Sequence, residues 1–166
     1  MAYVVMHIET ERKFLVRDTS FKQLAVKAYR IKQGYIAHDG GNTVRVRIRD
    51  NQGFLTIKGP SMNGISRYEW EREIPLSEAE ELLLLCQGGF IDKTRYLVPA
   101  GAGKYFEVDE FYGENEGLVM AEIELDSPDE PFERPVWLGE EVTGDRRYYN
   151  SYLLRNPYNL WGPLQS

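Results

Sequence analysis

Residues 42–50 read NTVRVRIRD, in which Arg45, Arg47 and Arg49 alternate with Val44, Val46 and Ile48. A β-strand turns successive side chains to opposite faces, so this stretch presents one apolar stripe and one cationic stripe. Working outward, DNQG closes a tight hairpin and FLTIKG returns with Lys58 near its end. Upstream, HDGGN supplies a turn whose glycines accept positive φ. The same charge at every second position recurs in Glu9, Glu11 and Lys13, in Glu69, Glu71 and Glu73, in Lys93 and Arg95, in Glu107 and Asp109, and in Glu122 and Glu124.

Extending this reading along the chain predicts eight strands, at about 3–16, 29–37, 42–50, 54–59, 66–75, 90–98, 104–113 and 118–127. A short helix is expected over 21–28. A second runs from Ser77 to Gln87, started by a Ser77/Glu80 capping box and stopped by Gly88 and Gly89. Pro75 ends the strand before it by removing a ladder donor. Residues 127–139, SPDEPFERPVWLG, read as an acidic, proline-rich loop with a short helical turn, and 156–166 as an irregular tail. No internal repeat or second domain is visible, so residues 1–166 are read as a single domain.

Composition narrows the setting. The 166 residues, 42% hydrophobic and 28% charged, suffice for a sizeable core and argue against global disorder. A single cysteine, Cys86, excludes an intramolecular disulfide and a thiolate metal cage. The chain has no run of membrane-spanning length and no secretory leader at its start, so a cytoplasmic protein with no membrane partner is expected. A formal charge of −6 argues against a general nucleic-acid binder. It leaves room for a local basic site beside an acidic one.

Periodicity alone leaves two arrangements open. The charged stripes face water, the reading toward which the pattern leans, or they face inward and line a polar cavity. Inward charges are costly unless paired or used to hold a charged ligand or metal. The apolar stripes would then need cover outside, and the leucine-rich helix at 77–87 is a suitable one.

The segment IETERKFLV, containing Glu9-x-Glu11-x-Lys13, resembles the N-terminal signature of the triphosphate tunnel metalloenzymes of the CYTH superfamily. Further pieces resemble the family in the same order: IKQGYI (31–36), TVRVRIR (43–49), LTIKG (55–59), RYEWERE (67–73), DKTRY (92–96), FEVDEF (106–111), AEIEL (121–125) and EEVTGDRRYYN (140–150). Together they span about residues 8–154. The resemblance implies a mainly β (α+β) fold, an eight-stranded antiparallel closed barrel with outer helices, whose lumen is a tunnel for triphosphate compounds and divalent metal.

Residues matching the family's basic lining are Lys13, Lys32, Arg45, Arg47, Lys58, Lys93 and Arg95, with Arg147, Arg146 and Arg49 less firmly matched. A string of anionic oxygens needs such distributed cations, arginine as a rigid fork and lysine as a point charge. Glu9, Glu11, Glu122 and Glu124 are the expected ligands for Mg²⁺ or Mn²⁺, which favour hard oxygen donors. Lys13, Glu69, Glu71 and Asp109 are expected at the reaction centre, the acids positioning a water or a second metal. His7 and His38 match no family motif, and Tyr35, Trp70, Tyr96, Phe106 and Tyr148 are read as packing between barrel and helices. The preferred activity is hydrolysis of inorganic triphosphate to pyrophosphate and phosphate. The alternatives are a class IV-type adenylate cyclase, a thiamine- or nucleoside triphosphatase, and a non-catalytic polyphosphate-binding module. Relatives that dimerise make a homodimer worth expecting.

Overall fold

The computed structural model describes residues 7–162. Nine strands are present there: β1 (Ile8–Val16), β2 (Lys27–Asp39), β3 (Asn42–Arg49), β4 (Gln52–Lys58), β5 (Ser66–Ile74), β6 (Ile91–Gly101), β7 (Lys104–Phe111), β8 (Val119–Leu125) and β9 (Leu138–Glu141). Three helices join them, α1 (Phe21–Leu24), α2 (Leu76–Leu83) and α3 (Asn150–Leu153). Hairpins link β2 through β5 and β6 through β8, β2 pairs with β6, and β8 pairs with β1. The circle closes where β1 meets β5, with Ile8 opposite Tyr68, Glu9 opposite Arg67 and Thr10 opposite Ser66. The result is a closed eight-stranded antiparallel barrel, an arrangement that leaves no open sheet edge among its staves.

Strand parity decides what is inside. Glu9, Glu11 and Lys13 of β1, Arg45 and Arg47 of β3, Lys93 and Arg95 of β6, Glu107 of β7, and Glu122 and Glu124 of β8 share one parity on their strands and line the lumen. The opposite positions form the outer apolar shell. Phe14, Val98, Phe106, Val108, Ala121 and Ile123 pack under Phe21 of α1 and under Trp137 and Phe132 of the segment before β9. Phe106 and Trp137 meet edge to face at 5.2 Å. Each large side chain buried here contributes roughly 1.5–3 kcal/mol. On the far side, α2 covers Val46, Ile36, Ile48 and Leu55 with Ala79 and Leu83.

At one end of the barrel the inward positions themselves turn apolar. Ile91 of β6, Phe111 of β7 and Met120 of β8 cluster with Val142, Tyr148 and Leu153, with Leu15 of β1 and Trp161 packed around them. The chain after β9 thus forms a hydrophobic plug across that end.

Several boundaries differ from the sequence reading. Residues 3–6 of the expected first strand and 163–166 of the expected tail lie outside the described residues. The first helix spans only Phe21–Leu24, because β2 already begins at Lys27. Helix α2 begins at Leu76, one residue before Ser77, with Pro75 as its N-cap and no side-chain capping bond. Ser77 therefore stands inside the first turn and cannot cap it. α2 ends at Leu83, so Leu84 and Leu85 are exposed instead of facing the barrel. The unexpected strand β9 takes over beside β1 beyond the β5 contact, with Phe14 opposite Glu141 and Val16 opposite Leu138. No helix of the described residues is long and apolar enough to cross a membrane.

Candidate active site

The lumen is a cavity of about 620 Å³ into which every strand of the barrel sends polar side chains. Glu9, Glu11 and Lys13 enter from β1, Arg45 and Arg47 from β3, Lys58 from β4, and Glu69 and Glu71 from β5. Lys93 and Arg95 enter from β6, Glu107 from β7, and Glu122 and Glu124 from β8. The alternation in the sequence becomes a ring because neighbouring strands keep the same parity in register: Arg45 faces Thr56, Thr56 faces Glu71, and Lys58 faces Glu69.

The acidic wall is built by β1 and β8. Their register sets Glu11 opposite Glu124 and Lys13 opposite Glu122. Lys58 Nζ donates to Glu9 Oε2 at 2.7 Å, and Lys13 Nζ lies 3.3 Å from Glu122 Oε1. Burial would raise the Glu122 carboxyl, but Lys13, Arg95 and Lys93 outweigh it and hold it well below the usual carboxylate range. Glu11 is different. Its carboxylate makes no ion pair or side-chain hydrogen bond among the described residues, and burial, then the charges of Glu122 and Glu9, push its pKa up to about 8. Burial and the neighbouring Glu9, Glu107 and Glu11 raise Glu124 as well.

Two unneutralised carboxyls beside two lysine-bound ones form a hard-oxygen donor set that fits a divalent cation such as Mg²⁺ or Mn²⁺. Among the described residues the acids do not converge as a ready-made cluster of three ligands. Glu9 and Glu122 are turned to their lysines.

The cationic wall is built by β3 and β6. Asp109, 2% exposed, accepts a bidentate pair from Arg95 Nε and Nη2 at 2.7 and 2.8 Å, and Lys93 Nζ at 2.7 Å. Burial works to raise this carboxyl, yet Arg95 and Lys93 hold it below its ordinary value. Arg95 also binds Glu107. Burial pushes the Lys93 ammonium down to about 7; Asp109 opposes the shift, while repulsion from Arg95 and Arg47 adds to it. Burial, then Arg45 and Arg95, push Arg47 down to about 9. The buried Arg45 Nε has no hydrogen-bond partner among the described residues. Such an orphaned donor is costly in a folded protein unless a ligand satisfies it. Glu71 accepts from Thr56 Oγ1 at 2.6 Å and, more loosely, from Arg45 Nη2 at 3.5 Å.

Two of the residues read as basic lining lie elsewhere. Lys32 is exposed on the outside of β2, its ammonium 4.5 Å from the centre of the Phe90 ring. The inward parity of β2 belongs to Tyr29, Ile31, Gln33 and Tyr35, because Gln33 stands opposite Arg47. Tyr35 therefore lines the lumen instead of packing outside. Arg147 leaves the lumen for Asp145, which it contacts at 2.7 Å, and lies over Tyr148 and Trp161; its neighbour Arg146 borders the cavity instead. Asp109 sits behind Lys93 and Arg95 rather than on the cavity surface. Sequence reading passed over Gln33, Thr56 and Asn150. Strand parity was the signal for the first two, while Asn150 lies in a segment without periodicity.

A closed barrel that gathers arginines and lysines against one bank of carboxylates defines a polyanion-binding tunnel with room for a hard cation. Residues 7–149 match the CYTH domain, and the chain belongs to that family. It is 52% identical over 151 residues to the inorganic triphosphatase of Acetivibrio thermocellus, covering 90% of this chain and 95% of the relative. It is 37% identical over 148 residues to the inorganic triphosphatase of Nitrosomonas europaea, covering 87% and 95%. A crystal structure of an inorganic triphosphatase matches with a TM-score of 0.63 at 33% identity, covering 93% of this chain and 99% of that one.

Proposed function

We propose that this protein is a divalent-metal-dependent inorganic triphosphatase that hydrolyses tripolyphosphate to pyrophosphate and phosphate within the barrel. The observation that carries this reading is the lumen, where Arg45, Arg47, Lys58, Lys93 and Arg95 surround one cavity and a buried Arg45 donor has no partner among the described residues. Relatives named inorganic triphosphatase, matched over nearly their whole length, support it.

The substrate's phosphate oxygens replace the internal acids as partners of these cations. Arg45 and Arg47 offer planar forks, and Lys13, Lys58 and Lys93 offer point charges. Glu9, Glu11, Glu122 and Glu124 would hold Mg²⁺ or Mn²⁺, which when bound would supply neutralisation of the phosphate charge. Water attacks the terminal phosphorus, the bond to pyrophosphate breaks, and a carboxylate takes the proton. Glu69 suits that role best. Its nearest cation, Lys58 Nζ, is 3.8 Å away, and its carboxylate makes no side-chain hydrogen bond among the described residues. Glu71 is already held by Thr56 and Arg45, and Asp109 acts through Lys93 and Arg95, with both its oxygens taken. Cationic neutralisation of the leaving pyrophosphate completes the step.

The same reading has the enzyme acting on a small-molecule triphosphate in the cytoplasm, as a homodimer that light scattering checks. A panel assay separates it from its alternatives. Phosphate release from tripolyphosphate, ATP and thiamine triphosphate, and cyclic nucleotide formation, are measured with Mg²⁺, with Mn²⁺ and with chelator. Tripolyphosphate is expected to be the favoured substrate, in metal only. A preference for ATP with cyclic AMP as product overturns the reading.

A further inference from the structure

One relay of hydrogen bonds connects three lumen cations, Arg47, Lys93 and Arg95. Arg47 Nε donates to Gln33 Oε1 at 2.9 Å, and Gln33 Nε2 donates to Asn150 Oδ1 at 3.0 Å. The same Asn150 oxygen accepts Lys93 Nζ at 2.8 Å, and Lys93 passes on to Asp109, which grips Arg95. Gln33 is fully buried and Lys93 is 1% exposed, and both sit in the wall of the cavity.

The orientation of both amides is forced. Arginine and lysine can only donate. The Gln33 oxygen must therefore face Arg47, its nitrogen must face Asn150, and the Asn150 oxygen must face both Gln33 and Lys93. Asn150 opens α3, in the segment that plugs the barrel, and reaches from there to β2 and β6. The plug is thereby tied to the two strands that carry Gln33 and Lys93.

We propose that Asn150, acting with Gln33, is a positioning residue for triphosphate hydrolysis: its amide oxygen holds Lys93 in a set relation to Arg47 so that both meet neighbouring phosphate oxygens. This rests on the triphosphatase reading. Neutral amides suit the task, because an acid there would compete with phosphate for both cations, whereas an apolar residue would leave two donors repelling each other.

The test is steady-state kinetics on tripolyphosphate with Mg²⁺, together with thermal melts, for wild type, Asn150→Leu, Gln33→Met, Lys93→Met and the doubles with Lys93→Met. Asn150→Leu is expected to lower kcat/KM about 10- to 100-fold, the scale of a small misplacement of a reacting group. In the Lys93→Met background the same change should cost less than about 3-fold, because the group being positioned is gone. Losses that multiply across the two sites, or an Asn150→Leu enzyme with unchanged kcat/KM, overturn the proposal. If Asn150→Leu does not fold, Gln33→Met with Lys93→Met makes the same comparison with the same two outcomes. An inactive wild type would remove the triphosphatase reading and this inference together, whereas multiplying losses in an active enzyme remove only the inference.

Discussion

Lys93 gives the barrel a measurable dependence of stability on pH. The unfolded chain keeps a proton on this lysine up to its ordinary pKa of 10.5, whereas the native protein keeps it only up to about 7. Between those values the unfolded state binds more protons, so raising the pH stabilises the fold. Each pH unit across the window is worth at most about 1.4 kcal/mol, which sets a ceiling of about 3 kcal/mol between about pH 7 and about pH 9.5. Relaxation around a buried charge lowers such ceilings, and about 2 kcal/mol is the expected effect. For a chain of this size that corresponds to roughly 4–8 °C in Tm.

The assay compares thermal melts of wild type and Lys93→Met across this pH range, with chelator present and polyphosphate absent. Arg47, pushed down to about 9, adds stability above that pH, and Glu11, pushed up to about 8, loses it between 4.5 and about 8. Both are present in the two proteins, so most of their own contribution cancels in the difference between the curves, which reports Lys93 together with its coupling to its neighbours. The wild-type Tm should climb relative to that of Lys93→Met as pH rises. A constant difference, or one that narrows from the wild-type side, refutes the reasoning.

Further outcomes follow from the same geometry. Glu9→Gln and Glu122→Gln should each lower Mg²⁺-dependent phosphate release from tripolyphosphate by at least about 100-fold, since each removes a proposed metal ligand; parent-like hydrolysis in both would show the metal to be held elsewhere. Arg45→Lys keeps the charge and loses the planar fork, so KM for tripolyphosphate should rise about 10-fold, and an unchanged KM would contradict a direct contact. A Cβ at Gly53 would lie 2.6 Å from Ala79 Cβ and 3.0 Å from the Ile74 carbonyl oxygen. Gly53→Ala should therefore cost about 1–3 kcal/mol in chemical denaturation while leaving kcat and KM unaltered.

Much of this architecture was legible because a strand has only two faces. Once TVRVRIR was read as a strand, the arginines had to share one face, and the same logic carried over to Glu9 and Glu11, to Lys93 and Arg95, and to Glu122 and Glu124. Parity alone did not say which face was inside. It also failed where a strand lacked a full charged stripe. In β2 the lone lysine, Lys32, draws the eye as the charged position, yet the inward position is that of the uncharged Gln33. Register resolves this, since Gln33 stands opposite Arg47.

The segment after β9 was beyond periodic reading altogether. Its short 3₁₀ turn at Arg146–Tyr148 and four-residue helix α3 send Arg146 to the cavity, Arg147 to Asp145 and Asn150 to Lys93 within five residues. Those directions are set by Tyr148 and Leu153 packing on Ile91 and Phe111, contacts distant in sequence that no local pattern encodes.

The central claim is that the charged lumen cleaves one phosphoanhydride bond of inorganic triphosphate with a divalent metal. Phosphorus-31 NMR of tripolyphosphate incubated with the protein and Mg²⁺ tests it most directly. The account predicts pyrophosphate and phosphate appearing in equal amounts as tripolyphosphate disappears, with no change when chelator replaces the metal. Tripolyphosphate that persists in the presence of metal, or that is consumed equally well in chelator, would contradict it.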